Sequence, residues 1–229
     1  MSGGGNPRSL AGWLSRVGAN LRGTLDYSEF EHAGGAVHPS RALPRFLAAM
    51  RLVRSPALVD LGPVTGQNVA FLGSHLGCKL YLDDVFGDIE RLTREHRESA
   101  IPAALADRLT YAEASIDGVL CWDVFDYLDA AAASALAARL ARILKPGGIG
   151  MAQFSTVRSA VLQYHKYIMV DPEHLEHRSI PAVRPTTRLW SSRDVQRLFN
   201  LFEIDESFLL VHRQRETLFH KGLAPAGGR

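Results

Sequence analysis

Four apolar runs in this 229-residue chain end in residues that carry chemistry. Asp60-Leu61-Gly62 follows the first, Asp83-Asp84 the second, Trp122-Asp123 the third and Ser155 the fourth. If the runs are parallel strands of an open sheet, ligands bind beyond their carboxyl ends, near the point where strand order reverses. Three of the four ends present a carboxylate and none presents Lys or Arg. That pattern disfavours a phosphate and suits an uncharged or cationic ligand with hydroxyl groups. In the turn DLGPVTGQN, Gly62 and Gly66 flank a bend where a side chain would block close backbone approach, and a helix start points at the loop. Asp83 follows Asp60 by 23 residues, near the spacing at which an acid after the second strand accepts hydrogen bonds from a ribose. The plainer alternative is that the glycines end a strand and the aspartates start helices.

Other constellations carry less. Glu173-His174-Leu175-Glu176-His177 lacks the His-Glu-x-x-His spacing that sets two imidazoles one turn apart, so a solvated loop or helix face is expected and no metal site. Cys78 and Cys121 are too isolated for zinc, and Ser155 has no nucleophile-elbow context. His212-Arg213-Gln214-Arg215 reads as a solvated turn, with gripping of an acidic substrate as the functional alternative.

The elements that position these residues alternate. After Pro56 come a strand at 57–61, a helix from Gly66 with Gly77 as its stop, a strand at 78–82 and a helix over about 88–98. A strand at 117–121 follows, then an alanine-rich helix capped by Asp129, the turn Lys145-Pro146-Gly147-Gly148 and a strand at 149–154. Such alternation implies βαβ units and an α/β fold with a mainly parallel sheet. Residues 157–189 hold several prolines and read as irregular; Ser191 or Ser192 caps a helix, and 202–211 with 216–220 form a terminal antiparallel pair. Residues 1–40 read as an appendage in which Leu10, Trp13, Leu14, Val17 and Leu21 mark a short amphipathic helix. It is expected to dock on its own domain, with a partner or a membrane surface as the alternatives. The domain proper spans 41–222, and 223–229 is expected to be a disordered tail.

Composition bounds the function. With 46% hydrophobic and 22% charged residues the chain is an ordinary globular one, and a net charge of +2 argues against a nucleic-acid binder. The two cysteines sit in apolar runs and fit a reducing compartment; the opening MSGGGNPRSL has no apolar leader, and no stretch is long enough to span a bilayer. A cytoplasmic location is expected.

The acid-Gly loop at Asp60, the acid Asp83 and the stretch ASIDGVLCWDVFDYL…LARILKPGGIGMAQF together resemble the class I S-adenosylmethionine-dependent methyltransferases. The match runs from about Ala57 to Phe154. Its most specific part is Ser115-Ile116-Asp117 joined to Leu144-Lys145-Pro146-Gly147-Gly148. The resemblance implies a Rossmann-like three-layer sandwich with a seven-stranded, mainly parallel sheet ending in an antiparallel pair, and S-adenosylmethionine as cofactor. It assigns Asp60, Gly62 and Gly66 to the methionine end and Asp83 to the ribose hydroxyls. Trp122 and Asp123 fall beside the methyl group. Two positions depart from the family pattern. Val64, preceded by Pro63, stands where the loop usually has glycine, and Leu105 where an acid commonly meets the adenine, with Asp107 two residues on as a substitute.

Methyl transfer needs two positioned reactants and exclusion of water, so the acceptor, a small molecule or a protein, leaves little trace in sequence. If its hydroxyl or amine must lose a proton, Asp123 is the first candidate base, with Tyr164, His165 and Tyr167 behind it. For Asp123 the structural alternative is a helix N-cap, and for His165 an ordinary polar or core histidine. The competing function is a methyltransferase-like scaffold that has lost catalysis and serves in binding or assembly. A nicotinamide dehydrogenase is disfavoured because the loop does not give Gly-x-Gly-x-x-Gly.

Overall fold

The computed structural model describes residues 35–158, 163–182 and 188–223, and the backbone of 20–22. Ten strands run in chain order: β1 (Asn20–Arg22), β2 (Ala36–Pro39), β3 (Ala57–Asp60), β4 (Lys79–Asp83), β5 (Ile116–Trp122), β6 (Leu144–Ser155), β7 (Gln163–Asp171), β8 (His174–Pro181), β9 (Glu203–Leu209) and β10 (Gln214–His220). The α-helices are α1 (Ala42–Arg51), α2 (Gly66–Leu76), α3 (Phe86–Arg94), α4 (Ile101–Arg108), α5 (Ala130–Ile143) and α6 (Ser192–Leu198).

The apolar runs form the middle of the main sheet because both their faces are covered. Successive residues of β5 alternate between two cores: Val119 and Cys121 face one, Leu120 and Trp122 the other. The first core packs α3 to α6 on one face; the second packs α1, α2 and part of a second sheet on the opposite face. Main-sheet order is β1-β4-β3-β5-β6-β10-β9, with β1, β4, β3, β5 and β6 parallel to one another and β10 antiparallel to both β6 and β9. This is an α/β Rossmann-like fold. The most specific sequence pair has a mechanical cause: Lys145 Nζ donates to Asp117 Oδ1 at 2.7 Å, while Asp117 Oδ2 accepts from the Ala57 amide at 2.8 Å. The two segments therefore tie the entries of β3, β5 and β6 together.

Helix ends follow local chemistry. Thr65 and Asp129 accept from the amides of Asn68 and Ala132, Ser191 and Asp194 form a capping box, and Gly77 closes α2 at φ +56°. Glu216, buried in β10, caps α1 from outside by accepting from the amides of Arg41 and Ala42 at 2.8 and 2.9 Å.

Two expectations change. The segment 157–189 is not simply irregular: its residues 163–181 form the hairpin β7–β8, which joins β2 in a second sheet of order β2-β8-β7. Glu173–His177 is accordingly the turn and start of β8 and not a solvated loop or helix face. Residues Leu109–Ser115 form no strand, and the outer side of β4 pairs in parallel with β1. The amphipathic helix expected at Leu10–Leu21 lies outside the described residues up to Ala19, and Asn20–Arg22 runs as strand; the expected disordered tail lies outside them from residue 224. Among the described residues no helix is long and apolar enough to cross a membrane.

Candidate functional site

The loop after β3 begins with a carboxylate in an unusual place. Asp60 is buried, and its Oδ1 accepts from the Gly62 amide at 3.0 Å and from the Trp122 indole N–H at 2.6 Å. Loss of solvent outweighs these bonds and pushes its pKa up to about 7, with the neighbouring Asp84 adding to the rise. Trp122 ends β5 at a register shift, in the left-handed backbone region at φ +49°. For a bulky side chain that conformation costs roughly 1–3 kcal/mol and persists only where surroundings enforce it. Here the result is an indole laid against the loop: a Cβ on Gly62 would lie 2.3 Å from Trp122 Cδ1. On its other side the indole stacks on Tyr167 with centroids 5.3 Å apart and planes 5° apart.

The remaining residues implied for the cofactor are distributed unevenly. Asp83, at the end of β4, is fully buried and accepts from the Tyr111 hydroxyl. Asp84 accepts from the Phe86 amide at the start of α3. Gly66 begins α2, whose first turn is capped by Thr65. Asp107 lies on the exposed side of α4. The structure thus brings together Asp60, Gly62 and Trp122, sets Asp83 on the adjacent strand, and leaves Asp107 on the surface.

Of the candidate bases, Asp123 and His165 meet. Asp123 is fully buried, and its Oδ2 lies 3.1 Å from His165 Nδ1. An ionised carboxylate only accepts, so this contact puts the imidazole proton on Nδ1 and the lone pair on Nε2. His165 itself lines a cavity of about 440 Å³ that also touches Ser155 and Gln163. Tyr164 points to the opposite side of β7, buried and stacked on Phe86 at 4.7 Å. Tyr167 is also buried, and burial raises its phenol pKa well above the ordinary value.

The hairpin that carries these residues is locked to the loop helix. Asn68, in the first turn of α2, donates to the Tyr167 carbonyl at 2.7 Å and accepts from the Met169 amide at 2.8 Å. One buried amide side chain therefore replaces a missing ladder partner of β7 and holds the second sheet over the carboxyl ends of β3 and β5. Sequence reasoning missed this clamp.

It also missed a histidine cluster. His38 of β2 stacks on His212 at 4.2 Å and meets His177 of β8 edge-on at 4.8 Å; His177 lies 6.4 Å from His165. Burial, then the neighbouring imidazoles, push the pKa of His177 down to about 3. The four are scattered over the sequence, so no local spacing announces them. Their donor atoms do not converge: no group of residues able to hold a metal is present among those described.

A family model described as a methyltransferase domain matches residues 59–152, from β3 into β6, the segment holding the Asp60 loop, Asp83 and the Trp122-Asp123 strand end. That segment is similar to a methyltransferase domain over those residues. A search of curated proteins finds no match. Among solved structures, protein PH0226 from Pyrococcus horikoshii OT3 is 18% identical over 78% of this chain and 87% of its own, with a TM-score of 0.50, and shares the fold. Weaker likenesses include the 1,6-didemethyltoxoflavin-N1-methyltransferase of Burkholderia thailandensis, solved with 1,6-didemethyltoxoflavin and S-adenosylhomocysteine (14% identity, 80% and 77% coverage, TM-score 0.47). Another is the glycopeptide N-methyltransferase MtfA complexed with S-adenosylmethionine (15% identity, 83% and 96% coverage, TM-score 0.47).

The donor chemistry suits S-adenosylmethionine: an acid ends β4, and a glycine and a helix start follow β3. The room beside Gly62 does not, because the Trp122 indole fills it in this conformation, and Tyr111 already holds Asp83.

Proposed function

We propose that this chain is an S-adenosylmethionine-dependent methyltransferase in a closed form, with Trp122 occupying the place of the cofactor. The bound cofactor would supply an electrophilic methyl group on a sulfonium. Asp83 would hold the ribose hydroxyls, and Gly62 with the first amides of α2 the methionine end, once the indole has left Gly62. The chain's own contribution to the chemistry is the Asp123–His165 pair, the observation that carries this reading. Asp123 fixes the imidazole with Nδ1 protonated, and Nε2 takes the proton of an acceptor hydroxyl or amine lodged in the cavity beside it. The second sheet keeps water from the strand ends.

The experiment is a tritiated-methyl transfer assay with a panel of hydroxyl and amine acceptors, comparing the wild type with His165→Asn. Transfer falling 10²- to 10⁴-fold in the variant, the usual worth of a positioned base, supports the reading. Unchanged transfer in the variant contradicts it.

One observation favours a second reading, a methyltransferase-like binding module without catalysis: the indole is hydrogen-bonded, stacked and packed on the loop it would have to vacate. That module would bind neither S-adenosylmethionine nor S-adenosylhomocysteine even with Trp122 removed.

A further inference from the structure

Two cavities meet at His38 and His212, on the face of the second sheet that also packs Tyr167 against Trp122. One, of about 440 Å³, is lined by Arg158, Arg213, Gln163 and the four histidines of the cluster. The other, of about 680 Å³, is bordered by Arg41 and by the run Ser207–His212 at the end of β9. Each alone is in the size range of a small-molecule site.

Their linings differ in kind. Neither contains an Asp or Glu among the described residues, while three arginines line them. In a chain with 24 acidic and 26 basic residues, that segregation is not what an average surface gives. Donors dominate the smaller cavity: guanidinium groups, the Gln163 side chain, the Ser155 and Ser179 hydroxyls and imidazole N–H groups. His212 Nε2 is buried there without a hydrogen-bond partner, a polar atom left for something to satisfy. The larger cavity is walled by Phe208, Leu209, Leu210 and Val211, and its rim exposes Leu209 by 72% and Val211 by 103%. Uncovered apolar side chains beside a cationic, donor-rich hollow define an amphiphilic site.

We infer that the joined cavities bind a monomeric amphiphilic organic anion, its carboxylate or phosphate held by Arg158, Arg213 and the histidine N–H groups and its apolar body lying along Leu209 and Val211. Because His165 lines the same hollow, this ligand is the acceptor class of the proposed methyl transfer, and to that extent the inference rests on that reading. Arginine is suited to the task, since its planar fork meets a carboxylate or phosphate with two parallel bonds and stays charged at any working pH.

The test needs no cofactor, so its failure is distinct from failure of methyl transfer. Sodium decanoate, decyl phosphate and neutral decanol, all below their micelle concentrations, are titrated into the full chain by calorimetry, with histidine ring resonances followed by NMR. The two anions are expected to saturate one site and shift the rings of His38 and His212, with decanol at least tenfold weaker. The double variant Arg158→Gln, Arg213→Gln alters two exposed side chains and is expected to fold; it should lose at least tenfold in affinity for the anions and nothing for decanol. Equal binding of decanol, undiminished anion binding in the variant, or absence of saturable binding would overturn the inference. So would binding only to phosphatidylglycerol vesicles, which would assign the surface to a bilayer.

Discussion

Replacing Trp122 by glycine separates the closed enzyme from the inert module. In the closed form at pH 8, above the pKa of Asp60, the cofactor must first break the indole's bond to the ionised carboxylate, worth about 1.5–3 kcal/mol. It must also break the stacking on Tyr167, worth about 0.5–1.5 kcal/mol. Removing an obstacle of roughly 2–4 kcal/mol tightens apparent affinity by about 30- to 700-fold, since each 1.4 kcal/mol is tenfold. The fold should survive. Deleting a buried indole costs about 3–5 kcal/mol, but glycine is at ease at φ +49° and returns roughly 1–3 kcal/mol of backbone strain. The assay is isothermal calorimetry with S-adenosylhomocysteine on wild type and Trp122→Gly, with circular dichroism as the check on folding. A folded variant that binds no more tightly than the wild type would refute the reasoning.

Asp60→Asn isolates the buried acid. Its folded pKa, about 7, exceeds the ordinary 3.8, so the native state holds the extra proton and stability falls as pH rises through that window. The variant should therefore match the wild type near pH 4 and exceed it at pH 8 by up to about 4 kcal/mol in urea titrations; equal stability at both pH values would count against a desolvated Asp60. His177→Phe keeps the ring contacts and removes the opposite dependence. A folded pKa near 3 means the unfolded chain takes the proton first, so wild-type stability is lost as pH falls below about 6.5, by at most about 1.4 kcal/mol per pH unit, and the variant should flatten that limb. An unchanged acid limb in the variant would show that His177 is not its source. Asn68→Ala breaks both bonds to β7 and should cost about 2–4 kcal/mol while speeding amide exchange at Met169; exchange there as slow as in the wild type would mean the hairpin is held otherwise.

The parallel core was legible because its cause is local. Runs such as Val119-Leu120-Cys121 are apolar on both faces, and Thr65, Gly77, Asp129 and Ser191 mark helix ends by their own backbone bonds. The second sheet was not, since outside its own hairpin β7 draws its partners from distant parts of the chain: Asn68 for its backbone, Phe86 for Tyr164 and Trp122 for Tyr167. In the site, Asp60, Asp83 and Trp122 could be named from strand-end position. What that position hid was the direction of the indole, which follows from a bulge and a left-handed φ that sequence does not announce. The contact between Asp123 and His165 was half visible, as two separate candidates without the distance that pairs them.

The most direct measurement is a crystal structure of the full chain grown with S-adenosylhomocysteine. The account predicts the indole swung off Gly62, the β7–β8 hairpin shifted with it, and the ribose hydroxyls on Asp83. The nucleoside lodged anywhere else, or absent with Trp122 still bonded to Asp60, would contradict it.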